Sequence, residues 1–482
     1  MNDSKGIFFL IASFTLLRLG VAPTFGLGVD EAHYLLYAVH LDLSYVDHPP
    51  LVGWIHAVFY TFLGTNELWV RLPAILLFAL VSFLAYRFVL SFSASKKISL
   101  LSVVGLNSSF LMNALSLMLL PDSILLVLIL LLLFVVQKME ASPRPQYFIY
   151  LGLLWGLAGL TKYTSALLVP PLIVYWILKK RYDLLFSKHM LTCAAISFLL
   201  ISPVLYWNLK HDWVSFRYQG AHLFGAPALS FKPFLLSLAA QAGSYSPFLF
   251  AIAVYGFFKS MTPGNERIRL PLFWGGTLWI FFLLSSLYDL SLPHWSSPFY
   301  LLFIPIGLYF LSVDAGRMKR NLRNFSLGFS LILTLFLYAE LAGKWFTFPD
   351  YQSPFRDIYG WDTIAREADR ILQQDPAPRK ALAVTEWTLA SRMMYYSLPY
   401  HREVFVIDQR RDQFDLWQKN SPLGYNLLFV NSYFSREDIG KKFQCDEVRV
   451  AKKMDILLNG GKVEEIEYVW CRHFQGAKDG NR

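Results

Sequence analysis

About eleven apolar runs divide this chain, near 6–24, 68–90, 98–113, 118–136, 147–161, 164–178, 189–207, 233–257, 269–287, 298–313 and 325–343. Many are long enough to cross a bilayer, and a chain built this way must satisfy its backbone inside helices rather than in an open sheet. Of 482 residues, 55% are hydrophobic and only 16% are charged, and the mean hydropathy is +0.40. The class is a polytopic α-helical membrane protein.

Every second junction between runs is basic: Lys96 and Lys97, Lys138 with Arg144, Lys179 to Arg181, Lys259 with Arg267 and Arg269, and Arg317 with Lys319 and Arg320. Lys and Arg collect on the cytoplasmic side of spans. The formal charge of +10 therefore belongs to membrane-facing loops and not to nucleic acid. The stretches 98–136 and 147–178 carry basic residues at both ends, so each folds as a hairpin of two spans. Their outer turns are expected at 113–122 and 161–163. With the amino terminus inside and an odd number of spans, everything after about 344 is outside. Arg18 interrupts the first run and no A-x-A site follows, which favours a retained anchor over a cleaved signal peptide.

The expected organisation is a membrane domain over 1–344, with a first external loop at 25–66, and a soluble external domain over 345–482. In the latter, "WDTIAREADRILQQ" (361–374) has helical spacing, while "ALAVTE" (381–386), "EVFVID" (403–408) and "YNLLFVN" (425–431) read as strands. That alternation predicts a small α/β domain. Cys445 and Cys471 bracket two strand-like runs joined by "LNGG" (458–461), and a hairpin there sets the thiols opposite each other. A disulfide and two free buried thiols both fit. Cys193 lies in a span as packing.

No P-loop, convincing GxGxxG, HExxH or Cys/His zinc spacing is present. The unusual polar residues instead cluster in the outer turns: the acids and histidines of 25–66, Asp122, Lys162 with Tyr163, "WNLKHDWVSF" (207–216) and "YDLSLPHWSSPFY" (288–300). An ionisable group in the apolar region costs about 2.5–3.5 kcal/mol at a helix centre. A shared hydrated cavity at the outer boundary accounts for them together, and it suits a substrate with an oily tail and an anionic head.

The segments "DEAHYLLYAVHLDLSYVDHPPLVGW" (30–54), "PD" (121–122), "GLAGLTKYTSALLVP" (156–170), "SPVLYWNLKHDWVSF" (202–216) and "PHWSSPFY" (293–300) resemble the bacterial branch of the protein O-mannosyltransferase superfamily. These are GT-C-fold glycosyltransferases of family 39, close to the lipid A aminoarabinose and galacturonic acid transferases. The resemblance spans roughly 6–343. It implies a GT-C fold in a bacterial inner membrane and a periplasmic C-terminal domain. It also implies a polyprenyl-phosphate sugar donor and a lipid or glycan acceptor at the periplasmic face, lipid A among the candidates. A protein O-glycosyltransferase stays open as the near alternative, and a membrane transporter of a lipid-linked or anionic solute as the distant one.

Transfer needs a base, charge stabilisation for the departing phosphate and a seat for each lipid. By position Asp30 is equally a cap for a helix over 31–40; the resemblance makes it the base. Glu31, about 100° away on a helix, is assigned acceptor binding or loop support. Lys162 is the cation for the phosphate, with Arg71 and Arg18 as weaker ones. Asp122 orients Lys162 or a sugar hydroxyl, or caps a helix after Pro121. Tyr163, His48, His294 and Trp295 are further substrate contacts, and Asp47, beside His48, matters more than Asp42. No ligand spacing identifies a metal or any other cofactor; His33 and His48 are the candidate ligands should a divalent ion bind.

Overall fold

A computed structural model of the chain describes residues 3–224, 229–313, 316–408 and 410–478. They form two compact units. The first comprises Met1–Ala22, Asp42–Ile55 and Leu68–Tyr338; the second comprises Pro23–Leu41, His56–Glu67 and Ala339–Arg482.

The first unit is helical. Among the described residues, seven helices are long and apolar enough to cross a membrane: Lys5–Thr24, Glu67–Ser93, Pro121–Ala141, Lys188–Lys210, Glu266–Ser285, Pro293–Val313 and Arg317–Gly343. The count rises to nine if each of two bent pairs is one span. The chain is thus a multi-pass membrane protein, with seven to nine such spans among the described residues against the eleven expected. The runs at 147–161 and 164–178 become Pro145–Gly159 and Tyr163–Leu178, each short of the ~20 residues a bilayer asks of a helix. The runs 98–113 and 233–257 are broken, Lys96–Asn107 meeting Phe110–Leu117 at 75° and Phe231–Ser244 meeting Pro247–Ser260 at 110°.

The 75° break has a polar cause. The Asn113 amide donates to the carbonyls of Asn107 and Ser109, each at 2.8 Å, and so serves the Asn107 carbonyl at the bend, while the Ser109 carbonyl also accepts the Asn113 backbone N–H at 3.0 Å. Its Oδ1 accepts from Arg18 Nη2 at 2.8 Å and from the Tyr338 hydroxyl at 2.9 Å. Arg18, 1% exposed, also donates to Asn107 Oδ1 at 2.7 Å. Arg18 therefore ties the bend rather than facing a phosphate.

Two close helix approaches depend on glycine. A Cβ on Gly307 would lie 2.1 Å from the Ile252 carbonyl oxygen, and one on Gly152 would lie 2.7 Å from that of Cys193. Pro247–Ser260 thus packs backbone to backbone on Ser297–Val313, and Pro145–Gly159 does so on Lys188–Lys210. Ser197 donates to the Gly152 carbonyl at 2.9 Å, and Cys193 is a free, buried thiol.

In the second unit a five-stranded sheet runs in the order Val404–Val406, Lys380–Val384, Asn426–Ser432, Gly461–Arg472, Glu447–Leu458. The first three strands are mutually parallel, and the hairpin joins antiparallel through Gly461–Arg472. Asn459 and Gly460 take φ of +50° and +86°, the sign a type I′ hairpin turn demands at both positions. Cys445 and Cys471 are joined as a disulfide with a Cα separation of 5.4 Å. The helices Trp361–Gln374 and Trp387–Ser397 belong to this unit. So does Val29–Val39, the helix expected at 31–40, which arrives from the amino-terminal segment.

Candidate functional site

Pro121 opens the helix Pro121–Ala141 at its first position, where a missing N–H costs nothing. Asp122 follows, in the first turn, where the helix dipole favours an anion. Lys162 lies past the end of Pro145–Gly159 and precedes the 3-10 turn Tyr163–Leu168. Its Nζ donates to both carboxylate oxygens of Asp122, at 2.8 and 2.9 Å. Both side chains are nearly closed off, 7% and 4% exposed.

His48 and His294 lie near enough for their charge to act on the Asp122 carboxylate. His294 sits in the turn Pro293–Ser296, whose Pro293 carbonyl accepts from the Tyr245 hydroxyl at 3.1 Å. The Tyr245 ring stacks on Tyr300 at 3.5 Å. Gln241 Oε1 accepts from Tyr300 at 2.8 Å and from Trp279 Nε1 at 3.1 Å. These buried groups fix the turn that carries His294. The sequence reading passed over them, although a glutamine inside the apolar run 233–257 was the available signal. Trp295 packs on Phe282, with ring centroids 5.7 Å apart.

The 42–48 loop is pinned within the same unit. Asp42 accepts from Trp207 Nε1 at 2.7 Å and gives its carbonyl to Trp54 Nε1 at 3.0 Å. Gln219 donates to the Asp47 carbonyl at 2.7 Å. The Tyr45 carbonyl accepts from Ser215 at 2.8 Å, and burial pushes the Tyr45 hydroxyl well above its ordinary range. The Tyr163 hydroxyl meets Ser44 Oγ at 3.3 Å, and its ring meets Phe216. Lys162, Asp122, Tyr163, His48 and His294 are thus all held in one unit.

Arg71 is in that unit too, but it is fully buried and donates to the Ala22 carbonyl at 2.5 Å. A guanidinium on the end of the first helix serves the backbone there.

Asp30, Glu31 and His33 fall in the second unit. Gly28 is the cap residue of Val29–Val39, so the capping reading of Asp30 is replaced: it lies inside the first turn, half-buried. Glu31 is 1% exposed and accepts from the Gly28 amide at 3.0 Å, the reciprocal half of a capping box. Loop support, not acceptor binding, is the part of its expected role that this geometry shows. His33 is enclosed by Tyr34, Tyr37, Trp387, Phe414 and Trp417, with centroids 5.2–6.0 Å away. Among the described residues no three His, Cys, Asp or Glu side chains gather where they could hold a metal ion. The second unit also holds a cleft of about 520 Å³ lined by Gly26, Glu67, Lys344, Trp361, Asp362 and Tyr396, among others.

Residues 47–207 match the family described as Dolichyl-phosphate-mannose-protein mannosyltransferase. The chain is 26% identical over 286 residues to the lipid A galacturonosyltransferase RgtD of Rhizobium johnstonii, covering 57% of this chain and 58% of that protein. It is 24% identical over 311 residues to an uncharacterized protein of Aquifex aeolicus, covering 62% of this chain and 61% of that one. The matched region therefore spans about three fifths of the length of these curated relatives. The fold matches the crystal structure of ArnT from Cupriavidus metallidurans in the apo state with a TM-score of 0.63 at 14% identity, over 97% of this chain and 98% of that one. It matches the same protein bound to undecaprenyl phosphate with a TM-score of 0.63 at 13% identity, over 96% and 97%. The chain has the GT-C fold, and its resemblance to the family 39 glycosyltransferases holds in sequence and in architecture.

Proposed function

We propose that this chain is a glycosyltransferase of the bacterial inner membrane that moves a sugar from a polyprenyl phosphate carrier to an acceptor at the periplasmic face, with lipid A or another envelope glycan as the acceptor class. The observation that carries this reading is the buried Lys162–Asp122 pair, held in one unit with His48 and His294. In the reaction, the acceptor oxygen bonds to the anomeric carbon, the carbon–oxygen bond to the carrier phosphate breaks, and the phosphate leaves with the electron pair. Lys162 has three N–H donors. Two are held by Asp122, and the third is assigned to the departing phosphate, for which a lysine ammonium acts as a point charge. Asp30 takes the acceptor proton.

Residues 1–344 act as the membrane catalytic domain and 345–482 as the periplasmic domain, with the amino terminus in the cytoplasm. Reporter fusions after Lys97, Arg181 and Arg320 are expected to read cytoplasmic, and one after Lys344 external; a cytoplasmic signal after Lys344 refutes the placement. For the activity, purified protein is given a radiolabelled polyprenyl phosphate sugar together with a lipid A acceptor. Label in the lipid supports the proposal. Label in protein points to O-glycosylation, and uptake of solute without any transfer points to a transporter.

A further inference from the structure

The cleft of about 520 Å³ in the second unit falls within the size range of ligand pockets, and the proposed reaction makes no use of it. Its wall is mostly polar. Three carboxylates line it, Glu67, Asp362 and Asp455, and among the described residues one cation does, Lys344. That lysine is already engaged, its Nζ donating to the Thr24 carbonyl at 2.6 Å. Asp455 meets Lys462 at 2.8 Å and Asp362 meets Arg366 at 3.2 Å. The half-buried Glu67 side chain has no ion-pair or hydrogen-bond partner among the described residues, so the wall keeps one uncompensated carboxylate. Three points of the same wall are places where the chain meets the membrane. Thr24 closes the span Lys5–Thr24, Glu67 opens Glu67–Ser93, and Lys344 follows Arg317–Gly343. The cleft therefore stands at the depth of lipid headgroups.

We propose that this cleft seats the headgroup of an aminophospholipid such as phosphatidylethanolamine, with the ammonium on Glu67. A concave wall with a carboxylate to spare focuses a field that draws cations and repels an acidic headgroup. Among the described residues no three acid or histidine side chains gather closely enough to hold a metal ion, so the arrangement suits an organic ammonium. Depth selects the source. A lipid presents its ammonium where the spans end while its tails stay in the bilayer, whereas a dissolved amine has to be drawn from water. Seated there, one headgroup bridges segments that meet the membrane at three distant points of the chain.

Purified full-length protein in detergent is offered equal amounts of phosphatidylethanolamine and phosphatidylglycerol, and retained lipid is read by native mass spectrometry. Wild type is expected to retain phosphatidylethanolamine about five-fold over phosphatidylglycerol, the effect of one charge at a membrane surface. Glu67→Gln should bring the ratio to about one. Thr363→Arg, at an exposed position of the wall on the helix Trp361–Gln374, puts a cation in the cleft without touching a span and should turn the preference towards phosphatidylglycerol. A wild-type preference for phosphatidylglycerol, or an unchanged ratio in either variant, refutes the seat. Glycerophosphoethanolamine, the same headgroup without acyl chains, should leave the retained lipid in place at equal concentration; displacement by it refutes the lipid and gives the cleft to a soluble amine. None of these readouts depends on transfer activity, so the seat and the proposed reaction fail separately.

Discussion

Removing one member of the Lys162–Asp122 pair should cost far more than removing both. Each side chain is more than nine-tenths covered, and breaking a buried pair leaves an uncompensated charge at about 3–5 kcal/mol, while replacing both partners by apolar groups of similar volume is near neutral. The structure also ranks the two single variants. In Lys162→Met, the stranded Asp122 carboxylate keeps the dipole of its helix, worth about 0.3–1 kcal/mol, and the nearby His48 and His294. The loss should sit near the lower limit. In Asp122→Leu, the stranded ammonium lies at the amino-terminal end of the Tyr163–Leu168 turn, where the backbone partial charge is positive, and the loss should sit near the upper limit. Thermal unfolding of the detergent-solubilised protein, followed through tryptophan fluorescence, is the assay. Both single variants should melt several degrees below wild type, Asp122→Leu lowest, and Lys162→Met/Asp122→Leu should recover most of the difference. The double variant, folded, should still transfer no sugar. A double variant that melts as low as the summed singles refutes the pairing argument; one that is folded and fully active removes the pair from the chemistry.

Asp30→Asn should lower turnover by about 10²–10⁴-fold with unchanged melting, as measured by single-turnover transfer, and near-normal turnover removes Asp30 as the base. Loss of the disulfide in Cys445→Ser/Cys471→Ser, which opens a loop of 26 residues' separation, should cost about 3.5 kcal/mol by the chain-entropy relation. Reductant should produce the same fall in melting temperature in wild type and none in the variant. Burial, reinforced by Asp408 and Asp415 and opposed by the Phe414 amide, lifts the Asp412 carboxyl to about 6. The folded protein thus holds that proton more tightly than the unfolded chain does, and its stability falls as pH rises from about 4 through 6. Asp412→Asn retains an acceptor for the Phe414 amide, so it should stabilise by about 1–3 kcal/mol above pH 6, after allowance for solvent screening, and be neutral near pH 4. A gain that is the same at both pH values contradicts the assignment.

What the sequence conveyed, and what it withheld, divides along physical lines. Apolar runs and Lys/Arg junctions place helices well because both signals are local, and the strands at 381–386, 403–408 and 425–431 were legible for the same reason. The 75° break at 107–110 was not, since there the Asn113 side chain bonds to the Asn107 carbonyl that a straight helix would have used itself. Lys162 and Asp122 each stood out as charges in apolar surroundings, and their pairing was one of three readings on offer. The Arg71 contact with a backbone carbonyl 49 positions away was not legible, while the loop-support reading of Glu31, three residues from the amide it meets, was. The Gln241, Tyr300 and Trp279 cluster was hidden because its members lie on three separated helices.

The strand of chain that enters the helix of Asp30 is fastened by residues made much later. The Gly26 amide donates to the Ile358 carbonyl at 2.9 Å, the Leu27 amide to the Tyr396 hydroxyl at 2.8 Å, and Lys344 Nζ to the Thr24 carbonyl at 2.6 Å. At about 5–20 residues per second, the ribosome needs on the order of tens of seconds to travel from Leu27 to Tyr396. Throughout that interval the helical hairpins can enter the bilayer, while these three bonds to the segment leading to Asp30 are still to form. Birth order thus acts as a safety catch: a nascent chain is inserted before these three fastenings of the segment leading to Asp30 can close.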